Sequence, residues 1–175
     1  MSMHSQHNYF KEFPNQVFIE TGSYRGDGIQ LALDAGFEKI YSVDNNHDNL
    51  DFCVSRFDLN NISLPIFLHY GNSSEILERL LKRIENPCTF WLDAHSMLQE
   101  DTEDDYPLLA ELKVIAKHNI KNHVILIDDF LYLSHPDITG WGKKNIEAAL
   151  YKINPDYKIE YRSNPIKNNI LIAYL

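Results

Sequence analysis

The chain is short of positive charge and nowhere concentrates it. Sixteen Lys and Arg stand against 25 Asp and Glu, a net charge of −9, and no basic cluster is longer than Lys143-Lys144. Nucleic-acid binding draws most of its affinity from phosphate contacts by a basic surface, so no nucleic-acid partner is expected. Only two cysteines occur, Cys53 and Cys88, without the spacing of metal ligands or of a disulfide framework. They read as small buried apolar residues. No run approaches the roughly 18 to 20 apolar residues of a membrane span, and the N-terminal MSMHSQHNYFKEF lacks an apolar signal core. Internal repeats, low-complexity tracts and domain linkers are absent as well. The expectation is a soluble, cytoplasmic protein with no membrane partner. It has a flexible segment over 1–13, where His4 and His7 sit in frayed polar chain, and one domain over 14–175.

Glycine is sparse, yet three of the seven glycines fall within Val17 to Gly28, VFIETGSYRGDG. Val17, Phe18, Ile19 and Glu20 have the bias of a buried strand; Gly22, Gly26 and Gly28 follow; Ile29, Leu31, Ala32, Leu33 and Ala35 then begin a helical pattern ended by Gly36. Glycine lets the main chain take positive φ and approach a ligand closely, and the free N–H groups of a helix start face that ligand. A dinucleotide loop, G-x-G-x-x-G, offers those groups to a pyrophosphate. Here an acid precedes the first glycine, in Glu20-x-Gly22-x-x-x-Gly26-x-Gly28, and a carboxylate in that place repels phosphate and suits a cationic ligand. This loop resembles motif I of the class I S-adenosylmethionine-dependent methyltransferases. The resemblance implies a cofactor site over Glu20, Thr21, Gly22, Ser23, Tyr24, Gly26 and Asp27.

Further strand and helix patterns alternate. Lys39 to Asp44 is a second strand, and Asp44 lies 22 residues after Gly22, near where an acid meets ribose hydroxyls in a doubly wound sheet. Asp44 or Asn45 could equally cap the helix from His47 to Phe57. Leu64 to Tyr70 makes a third strand with Pro65 at its start, followed by Gly71-Asn72-Ser73-Ser74 and a helix through Ile84. Methyltransferases often carry an acid after this strand for the adenine amino group; Asn72 and Ser73 hold the place here, after Asn45 in the same ligand set. Cys88 to Asp93 and Val124 to Ile127 are the fourth and fifth strands, separated by the acidic stretch 99–105 and a helix opened by Pro107 at N1. Leu131 to Trp141 reads as a long loop, Lys143 to Ile153 as a helix, and Tyr157 to Tyr161 and Asn169 to Tyr174 as terminal strands. His118, His123 and His135 show no constellation. The fold expected is α/β, a Rossmann-like doubly wound, mostly parallel seven-stranded sheet with an antiparallel terminal strand.

Three acids close neighbouring strands: Asp93 after the fourth, Asp128 and Asp129 after the fifth. Ligands bind outside the carboxyl ends of such strands, about 4.8 Å apart. Carboxylates so close raise one another's pKa unless a cation compensates, and an all-oxygen set selects a hard dication such as Mg²⁺. Asp is also a common cap and turn residue, so these positions have an ordinary structural use too. The pairing of Leu92-Asp93-Ala94-His95 with Leu126-Ile127-Asp128-Asp129-Phe130 is similar to the metal-dependent, macrocin-type sugar O-methyltransferases. The resemblance covers Val17 to Phe130. It implies Asp93, Asp128 and Asp129 as Mg²⁺ ligands, with Asp93 also in the catalytic set, and places His95 where that family carries its acidic base.

The function implied is methyl transfer from S-adenosylmethionine to a hydroxyl of a sugar, glycan or small polyol. The expected partners are that acceptor, and a second copy of the chain or a glycosyltransferase. A catechol or phenolic O-methyltransferase would use the same acids. An NAD-binding oxidoreductase would share the strand, loop and Asp44 but not the glycine spacing. A non-catalytic cofactor-binding domain would keep only the fold.

Overall fold

The structure, a computed structural model, describes residues 8–95 and 106–175. His4, His7 and the acidic stretch 99–105 lie outside the described residues. Seven strands form one sheet: β1 (Val17–Thr21), β2 (Lys39–Asp44), β3 (Ile66–Tyr70), β4 (Cys88–Leu92), β5 (Val124–Ile127), β6 (Lys158–Asn164) and β7 (Ile166–Tyr174), in the order β3-β2-β1-β4-β5-β7-β6. β1 to β5 pair in parallel, and β7 runs antiparallel between β5 and β6. Between them run α1 (Asp27–Ala35), α2 (His47–Arg56), α3 (Ser73–Leu81), α4 (Leu108–Lys117), two single turns α5 (Phe130–Leu133) and α6 (Pro136–Thr139), and α7 (Lys143–Ile153).

β1 is buried along its whole length because helices cover both faces of the sheet, and successive side chains go to opposite layers. Val17 and Ile19 join the core under α3, α4 and α7, with Leu77, Leu112, Ile115, Ile146 and Leu150. Phe18 points the other way, into the layer of Ile29, Ala32, Phe37 and Phe57. Cys53 and Cys88 are free and buried, as expected. Among the described residues no helix is long and apolar enough to cross a membrane.

Three local expectations are corrected. The segment expected to be frayed includes a turn of 3-10 helix at Tyr9–Glu12, because Phe10 is buried against Phe18 and Trp91 and holds the turn on the sheet. The stretch 131–141 is two short helices rather than one loop; Phe130 and Leu133 supply an apolar anchor too short to show a period. His118 and His123 do form a constellation: His118 Nδ1 lies 2.9 Å from His123 Nε2. The chain of contacts continues from His118 Nε2 to the Ile84 carbonyl and from the Cys88 N–H to His123 Nδ1.

Candidate functional site

The carboxyl ends of the four central strands are laced together just past their last residues. Gly22 N–H donates to the Val43 carbonyl (2.8 Å), Asp93 N–H to Thr21 (3.0 Å) and Asp128 N–H to Leu92 (3.2 Å). Gly22 has φ +87°, and a Cβ there would stand 2.6 Å from the Asp93 carbonyl oxygen. Only glycine allows the loop after β1 to pass this close to the loop after β4. Gly26, at φ +78°, starts α1 against Phe57 and Cys53. Asp44 organises the cradle from β2: Oδ2 accepts the Tyr24 N–H at 2.9 Å, Oδ1 accepts the Asn46 N–H at 2.8 Å, and Asn49 Nδ2 donates to both. The cap of α2 is Asn46, not Asp44 or Asn45, so Asp44 ties two loops together at the cavity wall. Asn72 caps α3, accepting from Ser74 N–H at 3.0 Å.

On the other side stand the acids. His95 Nε2 lies 3.2 Å from Asp129 Oδ2 and His95 Nδ1 lies 3.6 Å from Asp93 Oδ1. The first is a hydrogen bond; the second is too long for one, and the buried Nδ1 has no partner among the described residues. One donor atom each from Asp93, His95 and Asp129 lie within 4.8 Å of one another. Asp128 is turned elsewhere: its Oδ1 accepts from Asn164 Nδ2 at 2.5 Å and from the Asp129 N–H at 2.9 Å. Asp129 itself takes φ +46°, a left-handed turn that sends the two adjacent carboxyls in different directions. Its Oδ1 accepts from Asn169 Nδ2 at 2.8 Å.

Desolvation first and mutual repulsion second set the proton affinities of these acids. Desolvation, with Asp128 and Asp129 next in weight, holds the Asp93 carboxyl well above the usual carboxylate range. Its side chain keeps 32% of its surface, so the cavity walls rather than deep burial desolvate it. Burial pushes Asp128 up to about 6. Asp129 goes down, because His95 hydrogen-bonds to it.

Cradle and acids face the same cavity of about 460 Å³. Of the residues read from the sequence, Gly22, Tyr24, Asp44, Asn45, Asn72, Ser73, Asp93, His95 and Asp129 line it. Glu20, Thr21, Ser23, Gly26, Asp27 and Asp128 do not line it. Glu20 is buried beneath the loop, where it accepts a 2.5 Å hydrogen bond from Ser42, and burial raises its pKa to about 8. Asp27 faces solvent and pairs with Arg56 at 2.6 Å. Asn164 and Asn169, which position Asp128 and Asp129, had only a turn and a strand start as signals; an amide at the head of the apolar run Ile170 to Ala173 was the one clue to Asn169.

The strand order and this cavity can be set beside known structures. A methyltransferase from Geobacter sulfurreducens superposes with a TM-score of 0.66 at 14% identity, over 95% of this chain and 75% of its own. The O-methyltransferase TomG from Streptomyces achromogenes, involved in tomaymycin synthesis and solved in complex with S-adenosylmethionine, gives 0.62 at 12%, over 91% and 73%. An O-methyltransferase from Bacillus cereus in complex with S-adenosylhomocysteine gives 0.63 at 13%, over 91% and 74%. The chain has the Rossmann-like methyltransferase fold. No protein-family model matches it, and no curated protein matches its sequence.

Proposed function

We propose that the chain is an S-adenosylmethionine-dependent O-methyltransferase acting on a hydroxyl of a sugar, glycan or related small polyol. The observation that carries this reading is the single cavity with the Gly22–Asp44 cradle on one side and Asp93, His95 and Asp129 on the other. The fold, and the S-adenosylmethionine or S-adenosylhomocysteine held by two of the similar structures, support the donor. Asp44 lines the cavity, and a ribose hydroxyl reaching it would take the place of the long Asn49 Nδ2 contacts at 3.3 and 3.2 Å while the Tyr24 and Asn46 bonds keep the two loops tied. Asn45, Asn72 and Ser73 would face the base, and Gly22 and Tyr24 the methionine part.

An acceptor hydroxyl needs its proton removed and its oxygen aligned with the methyl group. His95 Nε2 lies 3.2 Å from Asp129 Oδ2, and His95 is the side chain that would take the hydroxyl proton. Asn169 fixes Asp129, so the dyad is held from two directions. The clustered donors also fit a dication, which would offset the repulsion from Asp128 and Asp129 that adds to desolvation at Asp93. Asp93 and Asp129, whose carboxylate oxygens converge, would hold Mg²⁺. When bound, that ion would lower the pKa of a hydroxyl and offset the acids. A sugar-modifying role also fits a place beside a glycosyltransferase.

The test is titration calorimetry with S-adenosylmethionine and S-adenosylhomocysteine, followed by labelled-methyl transfer to sugar and catechol acceptors with and without Mg²⁺. Binding of both ligands and turnover on a sugar are expected. His95→Ala should cut turnover about 10²- to 10⁴-fold while leaving donor binding within a few-fold. No heat with either ligand, or undiminished turnover in His95→Ala, refutes the reading.

A further inference from the structure

The sheet ends differently at its two edges. The outer strand β6 carries Lys158, Glu160 and Arg162, and its pairing with β7 shifts register between Arg162 and Asn164. Charges and bulges of this kind keep a bare edge from pairing with another chain. At the opposite edge β3 reads Ile66-Phe67-Leu68-His69-Tyr70 in unbroken register and has neither device. Burial, with Arg79 adding to it, holds His69 below its usual pKa, so the strand is uncharged at neutral pH. Its side chains are nonetheless open, with 45% of Phe67 and 53% of Tyr70 exposed.

The main chain of this edge is open too. Ile40 N–H donates to the Pro65 carbonyl at 2.8 Å, and Gly71 N–H to the Asp44 carbonyl at 3.0 Å. Ile66 stands opposite Ile40 and Tyr70 opposite Asp44, so Pro65, Phe67, His69 and Gly71 turn their main-chain groups to β2. The N–H and C=O groups of Ile66, Leu68 and Tyr70 point outward. Among the described residues none of these outward groups takes part in a turn, cap or side-chain bond.

A two-fold axis at Leu68 fits this edge to itself. Antiparallel pairing about that point sets Leu68 against its own copy and Ile66 against Tyr70, and every outward N–H meets an outward carbonyl. On one face of the joined sheet Phe67, stacked on Tyr41 with ring centroids 5.1 Å apart, comes beside the second copy's His69. On the other face Tyr70, stacked on His47 with centroids 3.6 Å apart, covers the second copy's Ile66. Two chains of net charge −9 repel one another, and β3 is a stretch where their main chains meet without opposing charges. We infer that the β3 edge is a self-association surface, on which a second copy of this chain adds its own β3 antiparallel and the two sheets become one. The paired strands run in opposite directions, so the two cavities open on opposite sides and each stays whole within its own chain. This inference stands apart from the methyl-donor reading.

The experiment is analytical ultracentrifugation of the full chain over about 1 to 100 μM, the range in which interfaces at the small end of the usual size associate. It compares the wild type with Phe67→Lys and Tyr70→Lys. Both side chains are exposed, so urea unfolding of each variant should keep the wild-type midpoint. The expected result is a wild-type dimer whose dissociation constant rises about tenfold or more in each variant, since an edge lysine opposes strand addition. Phe67 and Tyr70 point to opposite faces of the sheet, so a dimer broken by both substitutions runs along the edge between them. A wild type that is monomeric throughout, or a dimer left intact by either folded variant, overturns the inference.

Discussion

Replacing Glu20 by Gln should stabilise the protein in alkali and do little in acid. The carboxyl is 1% exposed, it accepts a hydrogen bond from Ser42 at 2.5 Å, and burial, opposed by that bond and reinforced by Asp44 and Asp27, raises its pKa from 4.5 to about 8. Between those values the folded chain holds a proton that the unfolded chain has lost. Stability contributed by the protonated form is therefore full below pH 4.5 and disappears as pH rises through 8. At about 1.4 kcal/mol per pH unit the interval amounts to roughly 5 kcal/mol, a ceiling because the loop can relax to hydrate the anion. Gln matches the neutral acid in shape and can still accept from Ser42. Urea unfolding of wild type and Glu20→Gln at pH 5 and pH 8.5 measures the difference. Near-equal stability at pH 5 and a variant more stable by 2 kcal/mol or more at pH 8.5 is the expected outcome. Asp93, Asp128 and Glu111 are raised too and tilt the wild-type curve in the same direction, so only the difference between the two proteins reports on Glu20. Parallel pH profiles, or a variant destabilised equally at both, would show that Glu20 is ionised and paired in the fold.

Two further outcomes follow from the same geometry. Gly22→Ala should cost about 3 kcal/mol in urea unfolding, from the left-handed backbone together with a Cβ set 2.6 Å from the Asp93 carbonyl oxygen; a loss under 1 kcal/mol would mean the two loops part freely. His123 is held down at about 3 by burial, with His118 and Lys121 adding to it, so the unfolded chain takes up a proton below pH 6.5 that the folded chain refuses. Stability should then fall with acid by about 1.4 kcal/mol per pH unit from this group, and His123→Asn, which can still accept from the Cys88 N–H, should flatten the limb between pH 6 and 4. An unchanged slope would refute the assignment.

The amino-acid order by itself determined the alternation of strands and helices, the glycine turn after β1, the acid at the end of β2 and the carboxyls beyond β4 and β5. These depend on apolar period and on turn residues, which act over a few neighbouring positions. The sheet then had few permitted connections, and the expected mostly parallel, seven-stranded sheet with a reversed terminal strand is what the chain forms. Which carboxyls meet was decided only in three dimensions. Asp128 and Asp129 are adjacent in the chain, yet the left-handed turn at Asp129 sends one to Asn164, 36 residues on, and the other to Asn169 and His95. Glu20 points down into the fold rather than up into the cavity, and the burial of Glu111 and the His118–His123 pair became visible once α4 was packed on the sheet. Strand ends are a local property of sequence, whereas the direction of a side chain past the strand end is set by one or two backbone angles and by partners tens of residues away.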